Sequence, residues 1–295
     1  MRFRIPVALV LLLNFGCDAF GYQEGRGSDA KAVFVLAHGL GANAELGFSN
    51  EIADALVADG YDVYKTEVPA FDSVANRASV LAKQVDGVLL ATGKEKIHII
   101  GHSMGGLDAR YMISSLGYAG SVASLTTVAT PHRGSPVADW MLEDDGAKLD
   151  QLGAIFGDDE ATKEASRAAV VDLSVAQAAS FNAANTDKEG VRYLSWGGFA
   201  TAFGTENDDG ATACATGQRD VPAPDSLGVP FLAIATIVSG DERVAHDGLV
   251  PVASAQWGEW RGCVAADHFD EVGIELGGEF DSVALFRQIA AEVAP

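Results

Sequence analysis

The hydrophobic positions of the chain change spacing in a regular rhythm, from short continuous runs to stretches with the spacing of an amphipathic helix. Short apolar runs rich in β-branched residues predict strands that are buried on both faces. The predicted strands are Ala32–Ala37, Tyr61–Tyr64, Ile97–Ile100, Leu125–Ala129, Val191–Trp196 and Phe231–Val238. Helical spacing covers Ile52–Gly60, Val74–Leu90 and Leu107–Leu116.

This alternation predicts an α/β protein with a doubly wound, mostly parallel sheet that helices cover on both faces. We expect one domain over residues 30–295, because no repeat, low-complexity tract or linker interrupts the chain. Residues 135–169 break the rhythm and are rich in Asp, Glu, Ala and Gly. We interpret them as a helical insertion over the sheet.

Two sets of apolar residues in this insertion share predicted helix faces. The first set is Val137, Trp140 and Met141, and the second is Leu149, Leu152, Ile155 and Phe156. Over an active site such helices form a lid whose apolar face opens onto lipid. The alternative is that both faces pack against the core.

The N-terminus has the features of a secretory signal peptide: basic residues precede an apolar run, Ile5–Leu13, that is too short to span a bilayer. Cleavage after Ala19 gives a signal peptide of residues 1–19 and a secreted mature chain without a transmembrane segment. The alternatives are a lipoprotein signal that ends before Cys17 and an apolar helix kept in the mature protein.

Because Cys17 leaves with the signal or carries lipid, Cys214 and Cys263 remain as one pair. An exported chain with such a pair predicts a disulfide, and two buried free thiols are the alternative.

Size and charge narrow the function classes. The chain has 295 residues, of which 48% are hydrophobic, so a sizeable core can form. Its 41 acidic residues against 20 Lys and Arg give a formal net charge of −21. Such a surface repels polyphosphates and has no basic stripe, which argues against nucleic acid as a partner.

The motif Gly-x-Ser-x-Gly occurs at Gly101–Gly105, between a predicted strand and a predicted helix. A serine on such a sharp turn needs strained backbone angles, and the flanking glycines leave room for the neighbouring strand and helix. The turn holds the hydroxyl above the sheet, at the positive end of a helix dipole. Ser103 is therefore the candidate nucleophile.

Serine needs a histidine that removes its proton and a carboxylate that orients the histidine. With this serine turn the chain order is serine, acid, histidine. Only His246 and His268 follow the last predicted strand, and His246 adjoins the candidate acid Asp247, so their side chains point apart. His268 is therefore the candidate base, while Asp247 and Asp241 both remain candidates for the acid.

The tetrahedral intermediate of acyl transfer needs hydrogen-bond donors aimed at its oxyanion. One expected donor is the backbone N–H of Met104, directly after the nucleophile. The other is the N–H of Leu40, in the tight turn His38–Gly41 after the first central strand.

Six segments between about Ala32 and Gly278 carry a specific combination of residues. They are His38–Leu40, Gly105–Leu107, Thr130–Ser135, Tyr193–Trp196, Asp247–Val250 and His268–Glu271. Together they resemble the bacterial secreted triacylglycerol lipases of the Pseudomonas and Burkholderia type. The resemblance implies the α/β-hydrolase fold, a triad of Ser103, Asp247 and His268, and an oxyanion hole formed by Leu40 and Met104.

The same resemblance implies a structural calcium ion near the catalytic histidine, held by two aspartates and two backbone carbonyls. The matching positions are Asp225 and Asp270 for the carboxylates and Ile274 and Gly278 for the carbonyls. Calcium is a hard cation that accepts both kinds of oxygen. Without the resemblance, Asp225 and Asp270 are ordinary surface acids.

The chain departs from this family at two places. Met104 stands where many members have glutamine or a similar residue, which bears on the acyl pocket and the oxyanion support. Cys214 follows Tyr193–Trp196, whereas the family's disulfide cysteines occupy other loops. This departure argues against an inherited family disulfide. It also argues against an inherited dependence on the export or folding chaperone that the family implies as a partner.

These residues predict a secreted serine lipase or carboxylesterase that acts on triacylglycerols or related acyl esters at an oil–water interface. A short-chain esterase, a polyester depolymerase and an acyltransferase are rivals, because one triad serves all of them. Outside the enzyme class, the rival is an inactive hydrolase-fold protein that binds lipid or a partner. The intact set of serine, acid and histidine favours the enzyme.

Overall fold

The computed structural model describes residues 23–24, 29–143, 148–149, 160–201, 214, 225–232, 234–240, 244–274 and 280–295. Among these residues the strands are β1 (Gln23–Glu24), β2 (Val33–Ala37), β3 (Asp62–Lys65), β4 (Ile97–His102), β5 (Val122–Val128), β6 (Arg192–Gly198), β7 (Ala200–Thr201), β8 (Asp225–Ser226) and β9 (Glu259–Val264). The main sheet has the order β1-β3-β2-β4-β5-β6-β9. Its strands pair in parallel except for β1, and β7 and β8 form a separate parallel pair.

Helices connect these strands and cover both faces of the main sheet. They are α1 (Asn50–Ala58), α2 (Val74–Thr92), α3 (Met104–Ser114), α4 (Pro136–Leu142), α5 (Glu160–Asp172), α6 (Val175–Ala184), α7 (Val229–Leu232), α8 (Ala235–Ser239), α9 (Val252–Ala255) and α10 (Ser282–Val293). Side chains alternate along β2. Val33 and Val35 pack with α2 and α3, whereas Phe34 and Leu36 pack with α1 and α10. The predicted fold class is confirmed.

Local chemistry explains where the longest helix begins and ends. The Ser73 hydroxyl accepts a hydrogen bond from the N–H of Asn76 at the start of α2, which satisfies a donor that has no partner inside the helix. Gly93 ends the helix with a left-handed φ of 66°, a conformation that glycine adopts without strain. Because α2 follows the parallel strand β3, its first turn comes after the carboxyl end of that strand.

The strand predicted at Phe231–Val238 is wrong: the segment forms α7 and α8 instead. A continuous apolar run does not distinguish a strand from a buried helix. In the structure Phe231 and Val238 are buried and Leu232 is exposed, as on an amphipathic helix. The strand that precedes His268 is β9, which the sequence analysis missed because charged residues interrupt its apolar positions.

Among the described residues, none of the helices combines the length and the hydropathy that a membrane crossing requires.

Candidate active site

The turn from β4 into α3 holds Ser103 in strained backbone angles, with φ 52° and ψ −128°. The glycines around it have no room for a side chain. A Cβ on Gly101 would lie 2.7 Å from the Cα of Gly106, and a Cβ on Gly105 would lie 2.1 Å from the carbonyl oxygen of Ala37. This close packing of strand and helix produces the turn that the sequence motif predicted.

Thr130 stabilises this turn from the segment that follows β5. Its Oγ1 donates a hydrogen bond to the carbonyl oxygen of Ser103 over 2.8 Å. The N–H of Ser103 donates to the carbonyl oxygen of Val128 over 2.9 Å. The sequence indicated Thr130–Ser135 only through a resemblance and gave it no role, whereas these contacts show that Thr130 fixes the backbone of the serine turn.

His268 and Asp247 lie in contact, with 2.8 Å between His268 Nδ1 and Asp247 Oδ2, and both are buried. The second carboxylate oxygen, Oδ1, accepts hydrogen bonds from the N–H groups of Leu249 over 2.8 Å and Val250 over 2.7 Å. The N–H of His268 donates to the carbonyl oxygen of Asp247 over 2.9 Å. These contacts hold the carboxylate at Nδ1, which therefore carries the hydrogen and leaves Nε2 as an acceptor.

His246 and Asp241 are the alternative candidates for the base and the acid. His246 makes a local contact, in which its Nδ1 accepts a hydrogen bond from the N–H of Gly248 over 2.9 Å. Burial lowers the pKa of His246, so the ring is neutral near pH 7. Asp241 lies outside the described residues.

Ser103 and His268 line the same cavity, which has a volume of about 170 Å³. Its wall is mostly apolar and comes from several elements. The apolar side chains include Leu40, Leu46, Val137, Met141, Val170, Leu173, Leu249, Val250, Phe269 and Ile274. The site therefore combines a strained serine, an oriented histidine and an apolar chamber.

The two predicted oxyanion residues flank Ser103. Met104 is fully buried and begins α3 directly after the serine turn. Leu40 lines the cavity, and the preceding Gly39 is so close to Ser103 that a Cβ on Gly39 would lie 2.9 Å from the Cβ of Ser103. The structure thus brings both predicted donor segments to the serine.

Asp267 organises the loop that carries His268, and the sequence analysis did not single it out. Its Oδ1 accepts hydrogen bonds from the N–H groups of Phe269 over 2.9 Å and Asp270 over 3.0 Å. Its Oδ2 accepts one from the N–H of Gly228 over 2.9 Å. Aspartate often stabilises a turn by accepting hydrogen bonds from backbone N–H groups two and three residues ahead. The aspartate at position 267 is therefore a signal for this turn that the sequence contains.

His268 also belongs to a group of three buried ionisable residues, together with His102 and Glu271. Their ligand atoms all lie within 4.8 Å of one another, a spacing that could hold a metal ion. His102 Nε2 lies 3.0 Å from the carbonyl oxygen of His268 and 3.7 Å from Glu271 Oε2. Burial lowers the pKa of His102 well below its usual value, so the ring is neutral and can donate to that carbonyl.

Glu271 is fully buried, and its carboxylate oxygens accept no hydrogen bond from the residues that the structure describes. Burial raises the pKa of Glu271 well above its usual value, and the charges of Asp247, Asp267 and Asp270 raise it further. The loop that carries His268 therefore lies among four buried acidic side chains, Asp247, Asp267, Asp270 and Glu271.

The four predicted calcium ligands are described to different extents. Asp270 is buried in a short 3-10 turn, Asp270–Val272, and is not the exposed acid that the alternative interpretation expected. Ile274 follows that turn, and its N–H donates to the carbonyl oxygen of Phe269. Asp225 lies in β8, where it pairs with Ala200. Gly278 lies outside the described residues.

Cys214 and Cys263 form the predicted disulfide, with a Cα–Cα distance of 5.0 Å. Cys263 belongs to β9, and the loop that carries His268 follows this strand. The disulfide thus attaches the segment around Cys214 to β9, the strand that precedes the loop of His268. Cys17 and the expected signal peptide lie outside the described residues.

The described part of the insertion predicted as a lid packs against α3, the helix that follows Ser103. Ala138 of α4, Leu149, and Ala169 and Val170 of α5 form one apolar cluster with Met104 and Leu107 of α3. Val137 and Met141, two of the three residues of one predicted helix face, line the cavity. Trp140 is half-buried, and its ring contacts the Nζ of Lys148. Leu152, Ile155 and Phe156 lie outside the described residues.

Comparisons with known proteins agree with this geometry. The sequence profile of the α/β hydrolase fold matches residues 32–202. A triacylglycerol lipase of Pseudarthrobacter phenanthrenivorans is 30% identical over 86% of this chain and 93% of its own length. A triacylglycerol lipase of Burkholderia plantarii is 30% identical over 86% of this chain and 83% of its own. One from Vibrio cholerae is 27% identical over 93% of this chain and 91% of its own.

Solved structures share the fold at lower identity. A Bacillus licheniformis lipase in mature form superposes with a TM-score of 0.67 and 16% identity, over 92% of this chain and 95% of that one. A metagenomic carboxyl esterase gives a TM-score of 0.65 and 22% identity, over 90% and 76% of the two chains.

The chain therefore belongs to the α/β-hydrolase family. Its relatives include bacterial triacylglycerol lipases, which the sequence motifs resembled. The predicted enzyme class, a carboxylic ester hydrolase, follows from that relationship.

Proposed function

We propose that the protein is a secreted serine lipase or carboxylesterase in which Ser103 is the nucleophile, His268 the general base and acid, and Asp247 the residue that orients His268. One observation carries the proposal. The buried 2.8 Å contact between His268 Nδ1 and Asp247 Oδ2 adjoins an apolar cavity that the strained Ser103 also lines. This arrangement supports the proposed roles, because acyl transfer needs a serine close to a histidine that a carboxylate orients.

In the first half-reaction, Ser103 Oγ attacks the ester carbonyl while His268 Nε2 takes its proton. The oxyanion that forms accepts hydrogen bonds from the N–H groups of Leu40 and Met104. When the bond to the alcohol breaks, His268 returns its proton to the leaving oxygen and the acyl group stays on Ser103. Water then attacks this acyl-enzyme, again with His268 as the base, and releases the carboxylic acid.

The cavity wall supports an acyl ester as the substrate. Its lining side chains are mostly apolar and Ser103 is among the lining residues, so an acyl chain can leave water as its ester group reaches the serine. The relatives that carry the name triacylglycerol lipase point in the same direction. We therefore propose lipid esters as the substrate class, with α4 and α5 as a lid over the cavity.

Export is part of the proposal. The basic and apolar N-terminal residues have the order of a signal peptide, and a disulfide persists in oxidising compartments.

We also propose a structural calcium ion held by Asp225, Asp270 and the carbonyls of Ile274 and Gly278. The chemistry of this donor set fits a hard cation. The two aspartates belong to adjoining segments. The N–H of Gly228, three residues after Asp225, donates a hydrogen bond to Asp267, three residues before Asp270. The ion would supply positive charge to the acidic loop of His268 and take no part in bond making.

The triad is tested by Ser103→Ala, His268→Ala and Asp247→Asn. Each variant should fold and lose several orders of magnitude of esterase activity on a soluble short-chain ester, because the three residues act as a unit. Circular dichroism checks the fold. Turnover near the wild-type rate in a folded Ser103→Ala variant would refute the proposal, and loss in Asp241→Asn with a fully active Asp247→Asn would move the acid role to Asp241.

A further inference from the structure

Arg77 is a fully buried arginine in the first turn of α2, and none of the motifs above includes it. A buried guanidinium is stable only when other groups balance its charge and accept its hydrogen bonds. Its Nε and Nη2 both lie 2.9 Å from Oδ2 of Asp108, which is also buried. Arg77 therefore has a fixed anchor, and its remaining hydrogens point to other groups.

Those groups are backbone carbonyl oxygens of two loops, the one that carries Leu40 and the one between β3 and α2. Nη2 donates to the carbonyl of His38 over 2.8 Å and to that of Gly39 over 3.3 Å. Nη1 donates to the carbonyl of Pro69 and, over 3.4 Å, to that of Ala70. The N–H of Gly41 bonds to the same Ala70 carbonyl over 2.8 Å. The residues before and after Leu40 are thus both tied to the Arg77 side chain, directly or through Ala70.

Asp108 extends this connection to the second oxyanion donor. It lies on α3, one helical turn after Met104 and on the same helix face. Its other oxygen, Oδ1, accepts no hydrogen bond from the described part of the chain, so Arg77 is its partner there. One ion pair therefore joins the helix that begins with Met104 to the loop that carries Leu40.

We propose that Arg77, anchored on Asp108, is the positioning residue of the oxyanion hole: it sets the distance between the Leu40 and Met104 N–H groups. The inference rests on the proposed function, because the hole matters only if Ser103 forms a tetrahedral intermediate. Arg77 is not among the residues that line the cavity of Ser103 and His268. Its effect reaches the reaction through the backbone that it holds.

The test compares Arg77→Met, Arg77→Lys and Asp108→Asn with the wild type on p-nitrophenyl butyrate. Misplacing one donor should lower kcat and kcat/KM about a hundredfold and leave KM nearly unchanged, because the oxyanion exists only beyond the ground state. Phenylboronic acid, which forms a tetrahedral adduct with an active serine, should lose affinity in parallel with kcat. Arg77→Lys should recover part of the loss, because an ammonium keeps the charge and lacks the planar fork.

Arg110→Met is the matched control. Arg110 is also a buried arginine, on α3, but it donates to the carbonyl of Asn185 and stacks on Trp257, with 3.6 Å from its Cζ to the ring centroid. Its loss should lower the melting temperature and leave kcat and the boronic acid affinity within about threefold of the wild type.

Folded Arg77 variants with wild-type kcat and boronic acid affinity would overturn the inference. If Arg77→Met does not fold, Arg77→Lys and Asp108→Asn decide in the same way. Failure of the proposed function has a different signature, since a folded Ser103→Ala variant would then remain active whatever the Arg77 variants do.

Discussion

The ring of His132 shows how a single residue of a motif can serve the fold and not the reaction. Arg110 can only donate hydrogen bonds, so His132 Nδ1, 3.1 Å from Arg110 Nη1, is an acceptor. Nε2 therefore carries the hydrogen and lies 3.0 Å from Thr127 Oγ1. Burial lowers the pKa of His132 well below its usual value, and the charges of Arg110 and Arg133 lower it further. The folded protein thus requires a neutral His132.

This requirement predicts a pH dependence of stability. A histidine with a depressed pKa in the folded state contributes stability that is present above its unfolded pKa of about 6.5 and is lost as the pH falls. In His132→Gln, the free energy of unfolding should fall less steeply below that pH, by up to about 1.4 kcal/mol per pH unit. Urea denaturation of both proteins between about pH 7 and pH 5 measures the slopes. Equal slopes would mean that His132 does not stay neutral in the folded protein.

Residue identities predicted part of the site. Ser103 followed from the glycines of its turn, and His268 from elimination and chain order. The contacts of Arg77, His102 and Asp267 could not be predicted, because each joins segments that lie far apart in sequence. No local pattern marks an arginine that will bond to carbonyls of another loop.

At the scale of elements, the regular alternation of the first half of the chain made most strands and helices predictable. Strands β2 to β6 are buried on both faces, so their apolar runs stand out. The second half was harder, because β9 lies at the edge of the sheet. Its Glu259 pairs with Arg192 on β6 over 2.7 Å, and such charges hide a strand from a hydrophobic pattern.

The helices α4 and α5 are proposed as a lid over the cavity. If α4 and α5 cover the cavity, activity should rise when the substrate passes from monomers to droplets, because an interface stabilises the state with its apolar faces exposed. Trp140→Ser and Leu46→Ser should lower hydrolysis of an emulsified triglyceride more than hydrolysis of a soluble ester. Leu46 lines the cavity and is 62% exposed.

Leu90→Ser is the control for this comparison, since Leu90 is 87% exposed on α2 and does not line the cavity. It should leave both rates unchanged. The lid proposal fails if there is no interfacial rise and Trp140→Ser leaves the emulsion rate unaffected.

Across the whole molecule, long-range links converge on the His268 loop. The disulfide fixes β9 before it, Asp267 ties it to the segment after β8, and His102 connects it to the serine turn. Burial raises the pKa of Glu271 in this loop, and the charges of Asp247, Asp267 and Asp270 raise it further. A bound cation there should stabilise the fold and the position of the base together.

Calcium removal tests this expectation. A ligand that binds only the native state adds about 2.7 kcal/mol of stability at a hundred times its Kd, so chelation should lower the melting temperature and slow turnover, and calcium should restore both. Asp225→Ala and Asp270→Ala should resemble the chelated protein and no longer respond to chelator. Asp29→Ala, at an exposed acid, should respond as the wild type does. Unchanged melting after chelation confirmed by elemental analysis would return both aspartates to ordinary acids.

The central claim, that Ser103 is the nucleophile of an ester hydrolase, is tested most directly by mapping the adduct of a fluorophosphonate probe. The probe forms a bond to phosphorus only at a serine whose proton a neighbouring base removes. Peptide mass spectrometry should find one adduct, on Ser103, with labelling nearly abolished in a folded His268→Ala variant. An adduct on another residue, or no adduct on the folded wild type, would contradict the account.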